Sequence, residues 1–207
     1  MRVTWFRAVI TTAALLVPLS ACDGGANPGG PAAEASSVAA VPSNTAARVE
    51  QLGAGCAAVP SDPTNPGSFE AMAKKPVAAA VAGSPALSTL AGAVARAGLT
   101  DSLNAAGALT VFAPTNGAFG EVTTSALRRD LADEKVLAGI LRYHVVPARL
   151  SSEQVAGSHK TLHGGVITVS GSPSDLTVNG TSSVVCGNVQ TANATIYIVD
   201  TVLFPAA

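Results

Sequence analysis

The order of periodic segments in this chain of 207 residues predicts an α+β fold, with N-terminal helices packed against a β-rich C-terminal half. Apolar residues recur at helical spacing in the first part, and from Lys160 the period switches to two. No regular strand–helix–strand alternation connects the parts, which argues against a parallel α/β sheet. Between them, residues 109–119 read as a strand–turn–helix corner. There Leu109, Val111 and Ala113 alternate with Thr110 and Phe112, so both strand faces should be covered. Pro114 lacks an N–H and should end the ladder, Thr115 or Asn116 can cap a following helical turn, and Phe119 can fold back onto the strand.

Composition narrows the function classes. Hydrophobic residues make up 48% but aromatics only 4%, so Ala, Val and Leu must build the core. A formal net charge of −1 gives no electrostatic case for nucleic acid or for an anionic membrane surface. The sequence carries no Lys/Arg block, no Gly-rich phosphate loop and no zinc-type Cys/His spacing, so neither metal nor cofactor is expected.

Residues 1–21 read as an export signal, with Arg2 and Arg7 ahead of an apolar stretch too short to span a bilayer stably. Leu19-Ser20-Ala21-Cys22 resembles the lipobox of bacterial lipoproteins, which implies a lipid on Cys22; an ordinary signal peptide with an incidental cysteine is the alternative. Two or three acyl chains, at ~0.8 kcal/mol per buried CH₂, would hold the chain to a membrane. Residues 22–45 are Gly, Pro, Ala and Ser with hardly a large apolar side chain, which suits a flexible tether. The folded domain is expected over residues 46–207.

Within it, residues 53–56 read as a turn after a short helical piece, and residues 62–67 as a loop. Ser68 can cap a helix through Met72, with Glu70 favourably placed in its first turn. Pro76 suits the start of a helix over residues 77–82. Ser84-Pro85 opens another, with Leu87, Leu90, Ala91 and Val94 on one face and Gly98 at its end. Residues 99–104 can add a turn. After the corner, residues 125–140 should be helical in two pieces, the first capped from residues 123–125 and the second by Asp133. Residues 141–146 look strand-like up to Pro147. Short strands follow at residues 161–162, 166–170, 176–178, 183–186, 188–191 and 195–203, punctuated by Gly and Asn-Gly turns.

Four stretches, in order, resemble the conserved boxes of fasciclin (FAS1) domains. They are Thr110-Val111-Phe112-Ala113-Pro114-Thr115-Asn116, then Tyr143-His144 within residues 140–146, Leu162-His163-Gly164-Gly165, and residues 193–205 with Asn193, Asp200 and Pro205. The resemblance covers roughly residues 69–205 and implies a single fasciclin-like domain, helices against a β-rich wedge or sandwich. Gly55-Cys56-Ala57, Pro76-Val77-Ala78 and Val184-Val185-Cys186-Gly187 further resemble the mycobacterial secreted members of that family. In those the corresponding cysteines form a disulfide, which implies a Cys56–Cys186 bond. With Cys22 given to lipid, one pair is left, and an exported location permits its oxidation. Two buried free thiols are the alternative.

The resemblance also singles out Tyr143 and His144, whose box is associated with adhesion in animal fasciclin domains. Strand alternation would put one of them in the core, and a satisfied buried His is the ordinary role for His144. Thr115, Asn116, Asn193 and Asp200 read as structural: the first and last boxes should clasp one another, with Asp200 held by backbone N–H groups or by hydroxyls of the opening corner. His159 and His163 are four apart but lie in strand and turn sequence without acidic companions, so a solvated hairpin is expected. The formal sequons at Asn179 and Asn193 carry little weight beside a bacterial lipobox. No Gly-x-Ser-x-Gly elbow or paired carboxylates appear, and no enzyme is expected. The expected protein is a lipid-anchored envelope protein, facing the cell-wall side, that binds an extracellular protein or polysaccharide. The alternative is an accessory to another envelope protein, with host responses driven by the acylated N-terminus.

Overall fold

The computed structural model describes residues 50–122 and 124–205. The expected signal, tether and Cys22, and the domain's first residues before Glu50, lie outside the described residues. A 3₁₀ turn over Ala54–Ala58 precedes α1 (Phe69–Ala73) and α2 (Val77–Gly83). A second 3₁₀ turn, Pro85–Leu87, runs into α3 (Ser88–Arg96), and α4 (Thr100–Ala105) follows. The corner is β1 (Leu109–Pro114) and α5 (Asn116–Gly120); α6 (Ser125–Ala132) and α7 (Glu134–Tyr143) come next. Six strands complete the chain: β2 (Val145–Val146), β3 (Gly157–Lys160), β4 (Val166–Ser172), β5 (Asp175–Val178), β6 (Ser182–Gln190) and β7 (Ala194–Val199). Apart from β1, which lies between α4 and α5, the helices precede the strands, and the fold is α+β.

Local chemistry sets the helix ends. Ser68 Oγ accepts from the Ala71 N–H at 3.2 Å, Thr115 Oγ1 from Ala118 at 3.1 Å, and Thr124 Oγ1 from Leu127 at 3.3 Å. Asp133 Oδ1 accepts from Lys135 and Val136, separating α6 from α7. Gly98, at φ +64°, stops α3: its N–H donates to Ala95 and that of Leu99 to Val94, a left-handed terminus that glycine adopts without a Cβ clash. α2 and α3 lack a side-chain cap of their own.

The seven strands form one sheet in the order β2-β1-β7-β6-β5-β4-β3. β1 and β7 run parallel, Leu109 beside Ala194 through Pro114 beside Val199; every other pair is antiparallel. The sheet curls on itself, because the Leu162 N–H beyond β3 donates to Val145 O of β2 at 2.8 Å. β1 and β7 are buried along their whole length. Leu109, Val111, Ala113, Ala194, Ile196 and Ile198 pack with Leu87, Leu90 and Leu141 on the helical side. On the other side, Phe112 stacks on Tyr197 at 5.7 Å between ring centres, among Ile167, Val169 and Val178.

Several expected boundaries are corrected. Residues 141–143 continue α7, and only Val145–Val146 is strand. Leu137, Ile140, Leu141 and His144 lie at i, i+3, i+4 and i+7, all buried, so the helical stripe continues through the run that looked extended. The strands expected at residues 183–186 and 188–191 are one strand, β6, with register shifts on either side of Cys186. The strand expected at residues 161–162 is a turn following β3, and the last strand ends at Val199. In place of the turn expected at residues 53–56, Ala54–Ala58 form a 3₁₀ helix.

Candidate functional site

The Tyr-His pair sits where α7 gives way to β2, and both side chains are interior: Tyr143 is 4% exposed and His144 2%. The helix, not strand alternation, explains why both are covered. His144 caps α7 with its Nδ1–H donating to Ile140 O at 2.9 Å, while its Nε2 accepts from the Leu203 N–H at 3.0 Å. That second bond requires a bare Nε2 and so assigns the proton to Nδ1. Burial holds the imidazole down to about 4, outweighing the bond to Ile140, which favours the charged form. His144 is thus a neutral strut between α7 and the closing segment. Tyr143 donates its hydroxyl to Val166 O at 3.0 Å and accepts from Asn179 Nδ2 at 3.1 Å. Its ring meets His163 edge-on, centres 6.1 Å apart, and a Cβ on Gly165 would come within 3.0 Å of it. Both residues, the expected binding pair, spend these polar atoms on hydrogen bonds within the protein.

The box asparagines have a definite task, capping helices from far along the chain. Asn193 Oδ1 accepts from the Val77 N–H at the start of α2, 2.8 Å away, while its Nδ2 lies within reach of Leu103, Asn104 and Ala106 carbonyls closing α4. Asn116 does the same for α3: Oδ1 accepts from the Thr89 N–H at 2.9 Å, and Nδ2 donates to Pro85 O at 2.8 Å. Asp200 lies just beyond β7 and accepts from the Ser183 N–H at 2.8 Å and from the Ser182 and Thr201 hydroxyls. The expected hydroxyls of the opening corner are not its partners, since the corner meets β7 through backbone bonds, such as Thr115 N–H to Val199 O. Cys56 and Cys186 form a disulfide, with Cα atoms 4.8 Å apart, fastening the first 3₁₀ turn to β6.

His159, half-buried on edge strand β3, bonds Val155 O through Nε2, and His163 belongs to the Tyr143 contact. Among the described residues no group of three or more His, Cys, Asp or Glu side chains gathers as a metal site.

Two features escaped sequence reasoning. Val136, Leu162 and Val166 are exposed, and the 161–165 turn meets α7 where the His163 N–H donates to Arg142 O. A cleft of about 290 Å³ lies between the first 3₁₀ turn, the Ser84-Pro85-Ala86 corner, Thr115, the middle of β6 and the end of β7. Its walls come from segments far apart in sequence, so no local signal could have announced it.

Comparison with known proteins supplies the lineage. The fasciclin domain profile matches residues 85–205. The chain is 43% identical over 178 residues to the cell surface glycolipoprotein MPT83 of Mycobacterium tuberculosis, covering 81% of this chain and 80% of that protein. It is 41% identical over 182 residues to the immunogenic protein MPB70 of Mycobacterium bovis, covering 85% and 93%. Among solved structures, a FAS1 domain pair from the insect cell adhesion molecule Fasciclin I superposes with a TM-score of 0.55 at 15% identity, over 65% of this chain and 52% of that one. That likeness shows the fold, and the chain spans about half the length of the domain pair. With four boxes in order, a matching profile and relatives along most of its length, the chain belongs to the fasciclin-domain family.

Proposed function

We propose that this chain is a lipid-anchored, non-catalytic binding protein of the bacterial envelope, held by an acylated Cys22 on a tether and presenting one fasciclin domain on the cell-wall side. The observation that carries this is the 43% identity, along 81% of the chain, to a protein named as a cell surface glycolipoprotein. The side chains one would recruit for catalysis support it, since His144 is engaged at both ring nitrogens and Asp200 serves to tie β6 to the closing segment. Fractionation of cells carrying Cys22→Ala tests the anchor. The variant should leave the membrane fraction, and an unaltered membrane-bound share would refute acylation there.

The ligand is a polysaccharide or protein outside the membrane. A shallow groove lined by Arg149, Ser151, Gln154, Asn188, Gln190 and Thr195 offers amides and hydroxyls suited to a polar ligand. Binding of the purified chain to wall polysaccharide, with Gln154→Ala as the probe, checks this. A loss of about three- to tenfold is expected for one neutral hydrogen bond, and unchanged affinity removes the groove. The second reading, an accessory to another envelope protein, is favoured by the exposed apolar side chains Val136, Leu162 and Val166. Cross-linking in intact envelopes separates the two. A single stoichiometric protein lost with Leu162→Asp, and polysaccharide binding insensitive to Gln154→Ala, would decide for the accessory.

A further inference from the structure

We infer that the cleft beside the opening corner is a binding site for a neutral acyl ester, an alkyl chain carrying an uncharged carbonyl. The proposal goes beyond the envelope role above and does not depend on it.

The cleft's chemistry is one-sided. Val59, Pro85, Val185 and Ile198 supply apolar walls, and none of its lining residues is charged. A carboxylate or phosphate would lose its water there without gaining a cation, so a charged ligand is disfavoured. The polar elements are two hydroxyls, Ser84 and Thr115. Thr115 Oγ1 already accepts from the Ala118 N–H, which leaves its own proton to give. Ser84 is 7% exposed, yet its hydroxyl has no hydrogen-bond partner among the described residues. No enclosed side-chain nitrogen or oxygen is left unpaired among those residues. The Ser84 hydroxyl is therefore not sealed in by those residues, and Ser84 lines the cleft. Two hydroxyls with a proton to give, on residues lining an otherwise apolar cleft, suit a ligand with a lone-pair oxygen at one end and hydrocarbon at the other.

Size agrees. A volume of 290 Å³ holds about ten groups of water size at ~30 Å³ each, enough to cover most of a ten-carbon acyl ester with its end projecting from the open cleft. The walls are also fixed in place. The disulfide ties the first 3₁₀ turn to β6, and a Cβ on Gly55 would come 2.7 Å from Val185 O, so the turn sits against β6 at a distance only glycine allows. Asn116, bonded to Pro85 O, holds the opposite wall. Such a site needs little ordering when the ligand enters.

The test is a methyl-resolved NMR titration of the full chain carrying Cys22→Ala, with methyl decanoate as the probe. The methyls of Ile198, Val59 and Val185 should move saturably. Ala86→Trp, at an exposed lining position, should abolish the movement by filling the cleft. Ser84→Ala should weaken methyl decanoate about fivefold while leaving decane unchanged, and the decanoate anion should bind about tenfold more weakly than its ester. No saturable movement up to the probe's solubility, movement that survives Ala86→Trp, or an ester preference indifferent to Ser84→Ala would each overturn the proposal. Where the ester comes from is then read on the acylated chain purified from envelopes. Methyls already at their bound positions identify the chain's own anchor as occupant, and methyls at their free positions that respond to methyl decanoate identify a separate lipid.

Discussion

His144 and Asn193 show what single side chains do here. His144 has its folded-state pKa lowered to about 4 from 6.5 by burial. The unfolded chain therefore binds a proton that the folded chain refuses between those values. The stabilisation is complete above about pH 6.5 and is lost as pH falls toward 4, by on the order of 3 kcal/mol. Urea unfolding at pH 7 and pH 4.5 should show this drop, and His144→Asn should flatten the pH dependence while lowering stability at pH 7. Asn193 reaches the start of α2 and the carbonyls closing α4 at once. Asn193→Ala should cost about 2–4 kcal/mol in urea unfolding, because a backbone N–H and several carbonyls lose their partner together. A structural role for both residues was legible in the sequence, but their partners were not. A histidine ahead of two valines and an asparagine before an apolar strand carry no mark of the distant segments they will bond, Leu203 and the start of α2, 59 and 116 positions away.

At the scale of elements, periodicity read well where one face is buried and poorly where both are. α6, α7 and their break at Asp133 followed from stripes and caps, as did the left-handed stop at Gly98. The boundary between α7 and β2 did not, because Leu141, Tyr143, His144, Val145 and Val146 are all buried and the contrast that reveals a period disappears. The first 3₁₀ turn has no buried residue of its own and depends on its tie to β6. Cys56 and Cys186 are 130 positions apart, so removing the bond restores a large loop entropy to the unfolded chain, about 4–5 kcal/mol at most. Thermal unfolding of Cys56→Ala/Cys186→Ala should give a clearly lower Tm. Because the turn walls the cleft, methyl decanoate binding should weaken in the same variant.

For the whole molecule, the parallel pair β1–β7 is the hinge of the architecture, covered by helices on one side and by the curled sheet on the other. Amides of Val111, Ile196 and Ile198 should exchange with solvent slowest, and those of edge strand β3 faster by a factor of about 100 or more. A chain ended before Ala194 should lack cooperative unfolding and near-ultraviolet signal. The order of the elements was readable from composition and turns, whereas the position of β7 in the middle of the sheet was not; strand order is a matter of which faces meet, and period alone does not encode it.

That position bears on how the protein is made. β7 is last of the strands in sequence yet lies between β1 and β6. A nascent chain that has reached residue 193 holds six strands and no centre, with β1 flanked only by the two residues of β2. Contacts this distant form late, since the loop must close before they contribute. If residues 1–21 direct export as proposed, the polypeptide stays loose enough to thread a narrow translocation channel. It completes its fold only after its final strand has followed, on the side where its thiols can be oxidised.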